Sequence, residues 1–205
     1  MKFILLLLLF TTSSFSFAQQ ISSKYTIVIH SIDVLTFEEY SFTIVKNENN
    51  VCFKYSLLDS VQYLRLKQDT ADKRIDRELN KTYKDTDSKK RDILFNELNK
   101  IVEKYYVYDN DSLTFNAKAY TGYCKLLDSV YSGGDFKDKK SMMLDGISYS
   151  IEVRSETVNH DYETISPDDN TNPILYHLIR DTFIIYRKLS KNPLVYHKHF
   201  HQKYK

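Results

Sequence analysis

The sequence predicts an α+β domain in which a largely antiparallel sheet packs against three or four helices. Three observations predict it. Residues 24–55 alternate apolar and polar side chains with a period of two. The central third switches to apolar residues three and four apart, the spacing of amphipathic helices. After residue 146 the alternation returns, and a final amphipathic stretch follows, so strands, helices, strands and a helix succeed one another along the chain.

The first strand is read over residues 24–32, with Tyr25, Ile27 and Ile29 on one face and Thr26, Val28 and His30 on the other. Tyr40, Phe42 and Ile44 then alternate with Ser41, Thr43 and Val45. Residues 47–50 make a turn, and Val51, Phe53 and Tyr55 resume the pattern, which is a β-hairpin. Residues 61–66 fit either a strand or a helix, because Leu57, Leu58, Val61 and Leu64 also keep helical spacing. A charged helix with a narrow stripe of Ile75, Leu79 and Tyr83 is expected over residues 69–83, paired with a neighbour. Ser88 opens a stronger helix over residues 88–106, whose Ile93, Leu94, Leu98, Ile101, Val102 and Tyr105 are expected to pack on the sheet. Residues 116–131 form a third helix, stopped by Gly133-Gly134.

Asp145-Gly146 signals a hairpin between residues 141–144 and the alternating run Tyr149, Ile151 and Val153. Residues 160–166 add a strand ended by Pro167. Asn172 is placed to cap a helix that has Pro173 in its first turn and Leu175, Leu178, Ile179, Thr182, Ile185 and Tyr186 on its apolar face. In this stretch Leu144, Asp145-Gly146, Tyr149, Ile151-Glu152, Ser166-Pro167 and Leu175 resemble uncharacterised exported bacterial domains. Those domains end in a D-G-x-x-Y/W-x-I-E hairpin, an S-P strand end and an amphipathic helix. The resemblance covers residues 144–189, implies the α+β fold and implies no activity.

The N-terminus predicts export. Lys2 supplies a positive start, residues 3–10 are continuously apolar, and the small residues Ser16 and Ala18 precede a cleavage point before Gln19. The apolar run is too short to span a bilayer, so residues 1–18 are read as a cleaved signal peptide and the mature chain as having no transmembrane anchor. Residues 19–189 then form a single domain and residues 190–205 a basic, histidine-containing tail. Charge names no partner: the formal net charge is +2, and losing Lys2 leaves about +1, so no global field points to nucleic acid. Seventeen Tyr and twelve Phe suit half-buried sheet faces, and only four Gly and three Pro leave few sharp loops.

Cys52 and Cys124 are the two cysteines. An oxidising compartment makes them a disulfide candidate; the alternative is two separate buried thiols. In an extended chain His197, His199 and His201 share one face and suit a borderline metal such as Zn or Cu. Against that, no carboxylate orients the rings, and a solvated tail is the plainer reading. Asp168, Asn170 and Asn172 mimic the opening of a calcium loop, yet Pro173 replaces the turn glycine and Ile179 the bidentate glutamate, which leaves helix capping as their role.

Glu152 and Arg154 lie on a polar strand face, and with His160 or His30 they are the candidate binding group, able to do acid–base work if a pocket gathers them. Tyr105, Tyr106 and Tyr108 cluster after a helix, where tyrosine rings serve either a core or a binding surface. The chain lacks a G-x-S-x-G elbow, an H-E-x-x-H helix, a phosphate-binding glycine loop and a C-x-x-C pair, so no catalytic residue and no cofactor is assigned. The expectation is a periplasmic or secreted, non-catalytic binding domain whose partner is a protein or an envelope component. The alternative is an exported hydrolase with a site assembled from dispersed polar residues.

Overall fold

A computed structural model describes residues 24–33, 39–82, 88–133 and 146–191. Six strands, β1 (Tyr25–Asp33), β2 (Glu39–Lys46), β3 (Asn50–Val61), β4 (Tyr106–Asn116), β5 (Ile147–Arg154) and β6 (Asn159–Ile165), make one sheet. Its order is β4-β3-β2-β1-β5-β6, and every neighbouring pair is antiparallel. The helices are α1 (Tyr63–Leu66), α2 (Thr70–Thr82), α3 (Ser88–Val102), α4 (Thr121–Tyr131) and α5 (Pro173–Leu189). The fold is therefore α+β with an antiparallel sheet.

The alternation in the sequence becomes the two faces of this sheet. In β1 and β2 buried and more exposed residues alternate, because one side of each strand is covered by α4 and α5 and the other is largely open. Ile27 pairs with Ile44 and Val153, and Ile29 with Phe42 and Ile151, so the apolar rows of successive strands fall in register. Tyr123, Cys124, Leu127 and Val130 of α4 and Leu175, Leu178, Phe183 and Tyr186 of α5 close over that face. Asn172 caps α5 by accepting a hydrogen bond from the Leu175 amide at 3.3 Å. A hydroxyl contact of 2.7 Å between Tyr123 and Thr182 ties the two helices together.

Residues 62–82 and 88–105 belong to an excursion between β3 and β4 with its own small apolar cluster. Ile75 and Leu79 of α2 meet Leu94 and Ile101 of α3, with Leu66 beside them. The expectation that the helix beginning at Ser88 packs on the sheet is corrected here. Its buried stripe holds only Leu94 and Ile101, which α2 satisfies, while Ile93 and Phe95 stay exposed. Asp69 joins the excursion to the strand that follows: Oδ1 accepts from the Ala71 amide at 2.7 Å, and Oδ2 accepts from the Tyr105 hydroxyl at 2.7 Å. These hydrogen bonds, the Tyr105 hydroxyl first, hold the Asp69 carboxyl below its usual range.

Two further expectations shift. The alternating run continues to Val61 in one long strand, with an irregularity at Leu58 to Ser60, before the single turn of α1. The partner expected to make a hairpin with β5, residues 141–144, lies outside the described residues, and both edges of β5 are filled by β1 and β6.

The disulfide expectation is overturned: both cysteines are free thiols. Cys52 pairs in register with Val45 and Thr114 on the face away from α4, whereas Cys124 sits in α4 beneath the opposite face and donates to the Ala117 carbonyl at 3.5 Å. The sheet stands between them, and a disulfide needs Cα atoms within about 7 Å of each other. Denatured protein alkylated without prior reduction is thus expected to take up two labels. In the folded state Cys52 should react much the faster, since burial raises the Cys124 thiol above its ordinary pKa. Uptake of no label before reduction would contradict this arrangement.

Candidate functional site

The face of the sheet away from α4 and α5 is where polar side chains gather. Strand alternation places Thr26, Val28 and His30 of β1, Ser41 and Thr43 of β2, Lys54 and Ser56 of β3, Asn110 and Ser112 of β4, and Ser150 and Glu152 of β5 on it. Ser41, Thr43, Lys54, Ser56, Asn110 and Ser112, with Tyr55 and Asp111, line a shallow basin of about 540 Å³. Ser56 donates to Asn110 Oδ1 at 2.8 Å, and Asn110 Nδ2 donates to the Tyr108 carbonyl at 3.1 Å, which fixes that amide. The Lys54 ammonium, flanked in register by Thr43 and Ser112, has no carboxylate partner among the described residues.

At the end of this face the excursion returns to the sheet, and a cleft of about 600 Å³ opens between them. Its floor is His30, Ile32, Glu39 and Leu58; Asn99 of α3 and Glu103 of the following turn form one wall; Tyr106 and Tyr108 at the start of β4 form the other. Tyr108 donates its hydroxyl to Glu39 Oε1 at 3.1 Å, and His30 Nε2 stands 3.7 Å from the same oxygen. The Glu39 side chain is only 19 % exposed and meets no lysine or arginine among the described residues. The rings of Tyr106 and Tyr108 are 6.1 Å apart and cross at 71°. Burial first, and then the Glu39 and Glu103 carboxylates, push both phenols above their usual pKa, so each stays a hydrogen-bond donor across the physiological range.

The candidate group from the sequence is split by the sheet. Glu152 and Arg154 share the open face, where Arg154 Nη2 lies 3.1 Å from Glu152 Oε2 and 2.5 Å from Asp161 Oδ1. His160 pairs with the buried Val153, so its imidazole is on the covered face beside Gly133, and only its carbonyl meets Arg154, at 2.9 Å. Gly133 has φ +70°, and a Cβ there would come within 2.8 Å of the His160 ring, so glycine is required on both counts. Arg154, bracketed by two half-exposed carboxylates, makes a surface network worth about 1 kcal/mol or less. His30 alone of that group opens into the cleft.

His197, His199 and His201 lie outside the described residues, and among the described residues no group of three His, Cys, Asp or Glu side chains is placed to hold a metal. Asp168 spends its carboxylate on the Asn170 and Thr171 amides, at 2.8 and 2.7 Å, and so closes a turn rather than opening a calcium loop. Of the three clustered tyrosines, Tyr106 and Tyr108 enter the cleft while Tyr105 faces the helical excursion. Glu39, Asn99 and Glu103 carry no signal in the sequence, because strand pairing and a helical excursion bring them together with no spacing to announce it.

The fold and these surfaces define a two-layer α+β domain with one furnished sheet face and a cleft at its end. Set against protein-family models, curated proteins and solved structures, the chain matches none. Among the described residues no helix is long and apolar enough to cross a membrane.

Proposed function

We propose that this is an exported, non-catalytic binding domain that holds a protein or envelope component against the open face of its sheet. The observation that carries the reading is the continuity of that face. Hydroxyl, amide, ammonium and carboxylate groups of the basin run into the aromatic and acidic cleft, and α4 and α5 cover the opposite side, while α3 reaches the open face only at the cleft. Side chains on a sheet face stand roughly perpendicular to it and are held in fixed rows, which suits recognition of an extended polar surface.

One observation favours a hydrolase as the second reading. His30 lies near Glu39 and pairs in register with Ser41 on one side and Ser150 on the other, so a base, an orienting carboxylate and two hydroxyls share a small area. Two features weigh against it. Among the described residues neither serine hydrogen-bonds to His30. The backbone amides of the central strands are also committed to the ladder, which leaves no preorganised N–H pair there to stabilise an oxyanion.

The test is capture from the envelope fraction of the chain's own host, followed by native mass spectrometry, with Thr43→Arg compared to Asp76→Lys. Thr43 is central on the open face, and Asp76 is exposed on α2. A ligand or protein retained by the parent and Asp76→Lys, but reduced at least tenfold by Thr43→Arg, is the expected result. Equal retention by both variants would sink the reading. Turnover of a chromogenic ester that disappears in His30→Ala would replace it with the hydrolase.

A further inference from the structure

Resting on the reading of the open face as a binding surface, we infer that the cleft at its end takes a basic side chain of a polypeptide partner, an ammonium or guanidinium carried on an aliphatic stem. Charge is the first argument. Glu39 and Glu103 both line the cleft, neither is paired with a lysine or arginine among the described residues, and the lining itself holds no lysine or arginine. The Glu39 carboxylate is half-buried, and a hydroxyl donor at 3.1 Å does not neutralise it. An arriving cation would do so.

The walls supply the second argument. Tyr106 and Tyr108 cross at a T-shaped angle, so a cation between Glu39 and Glu103 would lie beside electron-rich aromatic surface, the arrangement that favours ammonium and guanidinium groups. Ile32 and Leu58 give the apolar floor on which a methylene stem packs, and Asn99 at the rim offers an amide to a neighbouring backbone group. Burial, and after it the Glu39 and Glu103 carboxylates, raises the pKa of both phenols. An anionic ligand fits none of this.

The experiment is a titration of the ¹⁵N-labelled mature protein, followed by NMR, with Nα-acetyl-lysine amide, Nα-acetyl-arginine amide, the neutral stem analogue Nα-acetyl-norleucine amide, and the free diamine 1,5-diaminopentane. The expected result is that a basic amide shifts the amides of residues 30, 39, 58, 103, 106 and 108 and binds at least tenfold tighter than the norleucine amide. Glu39→Gln should weaken it by about tenfold, because the ligand's cation then loses the more enclosed of the two carboxylates and keeps only Glu103. Glu103→Gln, which removes a carboxylate that makes no hydrogen bond among the described residues, should weaken it less and guards against a folding artefact in the first variant.

Equal binding of the neutral amide, absence of shifts at the cleft, or indifference to both substitutions would overturn the inference. Tighter binding of the diamine than of either basic amide would assign the cleft to a small polyamine instead of a polypeptide. If the amides fail to bind while Thr43→Arg still abolishes capture of the envelope partner, the basic side chain is wrong and the binding face stands. If Thr43→Arg also leaves capture unchanged, both fall.

Discussion

Replacing Phe42 with alanine is expected to cost about 3–5 kcal/mol of stability, the range for truncating a large buried aromatic side chain. Phe42 is the hub of the core. Its ring centre lies 4.8 Å from that of Tyr55, 5.1 Å from Phe183, 5.2 Å from Tyr186 and 6.2 Å from Phe53, and it is 1 % exposed. Its neighbours come from β3 and from α5, so one truncation opens a void between the sheet and the helix that covers it. Each aromatic pair adds roughly 0.5–1.5 kcal/mol beyond buried area, and the truncation removes all of Phe42's pairs together. A chain of this length loses about 2–4 °C of melting temperature per kcal/mol, which predicts a fall of roughly 10 °C or more. Phe42→Leu keeps most of the volume and should cost under about 1.5 kcal/mol. Urea denaturation followed by tyrosine near-ultraviolet circular dichroism separates the two variants. A loss below about 1 kcal/mol for Phe42→Ala would mean that the sheet and α5 are not coupled as described.

The elements visible in the sequence are those whose burial is one-sided. Strands β1, β2 and β5 present a mainly apolar row to α4 and α5 and a mainly polar row to the other face; β5 alternates throughout, while Val28, Ser31, Ile32, Val45 and Lys46 break the pattern in β1 and β2. Pro173 and the Asn172 cap mark the start of α5 by local chemistry that needs no tertiary context. Strand β4 is hidden in the sequence because its middle is Asp109-Asn110-Asp111, a run that reads as a turn. Long-range contacts explain it: Asp111 Oδ2 accepts hydrogen bonds from the Tyr186 hydroxyl at 2.5 Å and the Ser190 hydroxyl at 2.7 Å, partners 75 and 79 residues away. The separation of the two cysteines is hidden for a similar reason, since parity puts Cys52 on one face but only the placement of α4 puts Cys124 beneath the other. The cleft is partly legible. His30 and the tyrosines after residue 104 can be singled out as residue types, whereas the meeting of Glu39 with Tyr108 depends on β2 and β4 flanking the same end of β3.

Truncating Asp128 to alanine is the second change expected to weaken the fold strongly, for electrostatic reasons rather than packing. Lys46 ends β2 on the covered face with its side chain 7 % exposed, and its ammonium is 2.9 Å from Asp128 Oδ1 on α4. The same oxygen accepts the Tyr25 hydroxyl at 2.7 Å, while the ammonium lies 5.3 Å from the centre of the Tyr25 ring, which stacks on Tyr131 at 4.4 Å. Removing Asp128 leaves the ammonium enclosed without its counter-charge and the Tyr25 hydroxyl without its acceptor. The cost of breaking a buried pair is roughly 3–5 kcal/mol, and the 29 % exposure of Asp128 places this one near about 3 kcal/mol. Asp128→Asn keeps an oxygen for Tyr25 and should cost less. The pair itself is expected to contribute little net stability, because its Coulomb gain is set against the desolvation of both ions. The double variant Lys46→Met with Asp128→Leu, which removes both charges and fills their space, should therefore recover most of the loss. Melting temperatures of the four proteins decide the matter. A double variant as unstable as Asp128→Ala would show that the ion pair is needed for more than mutual neutralisation, and would locate its role in fixing how α4 is set against β1 and β2.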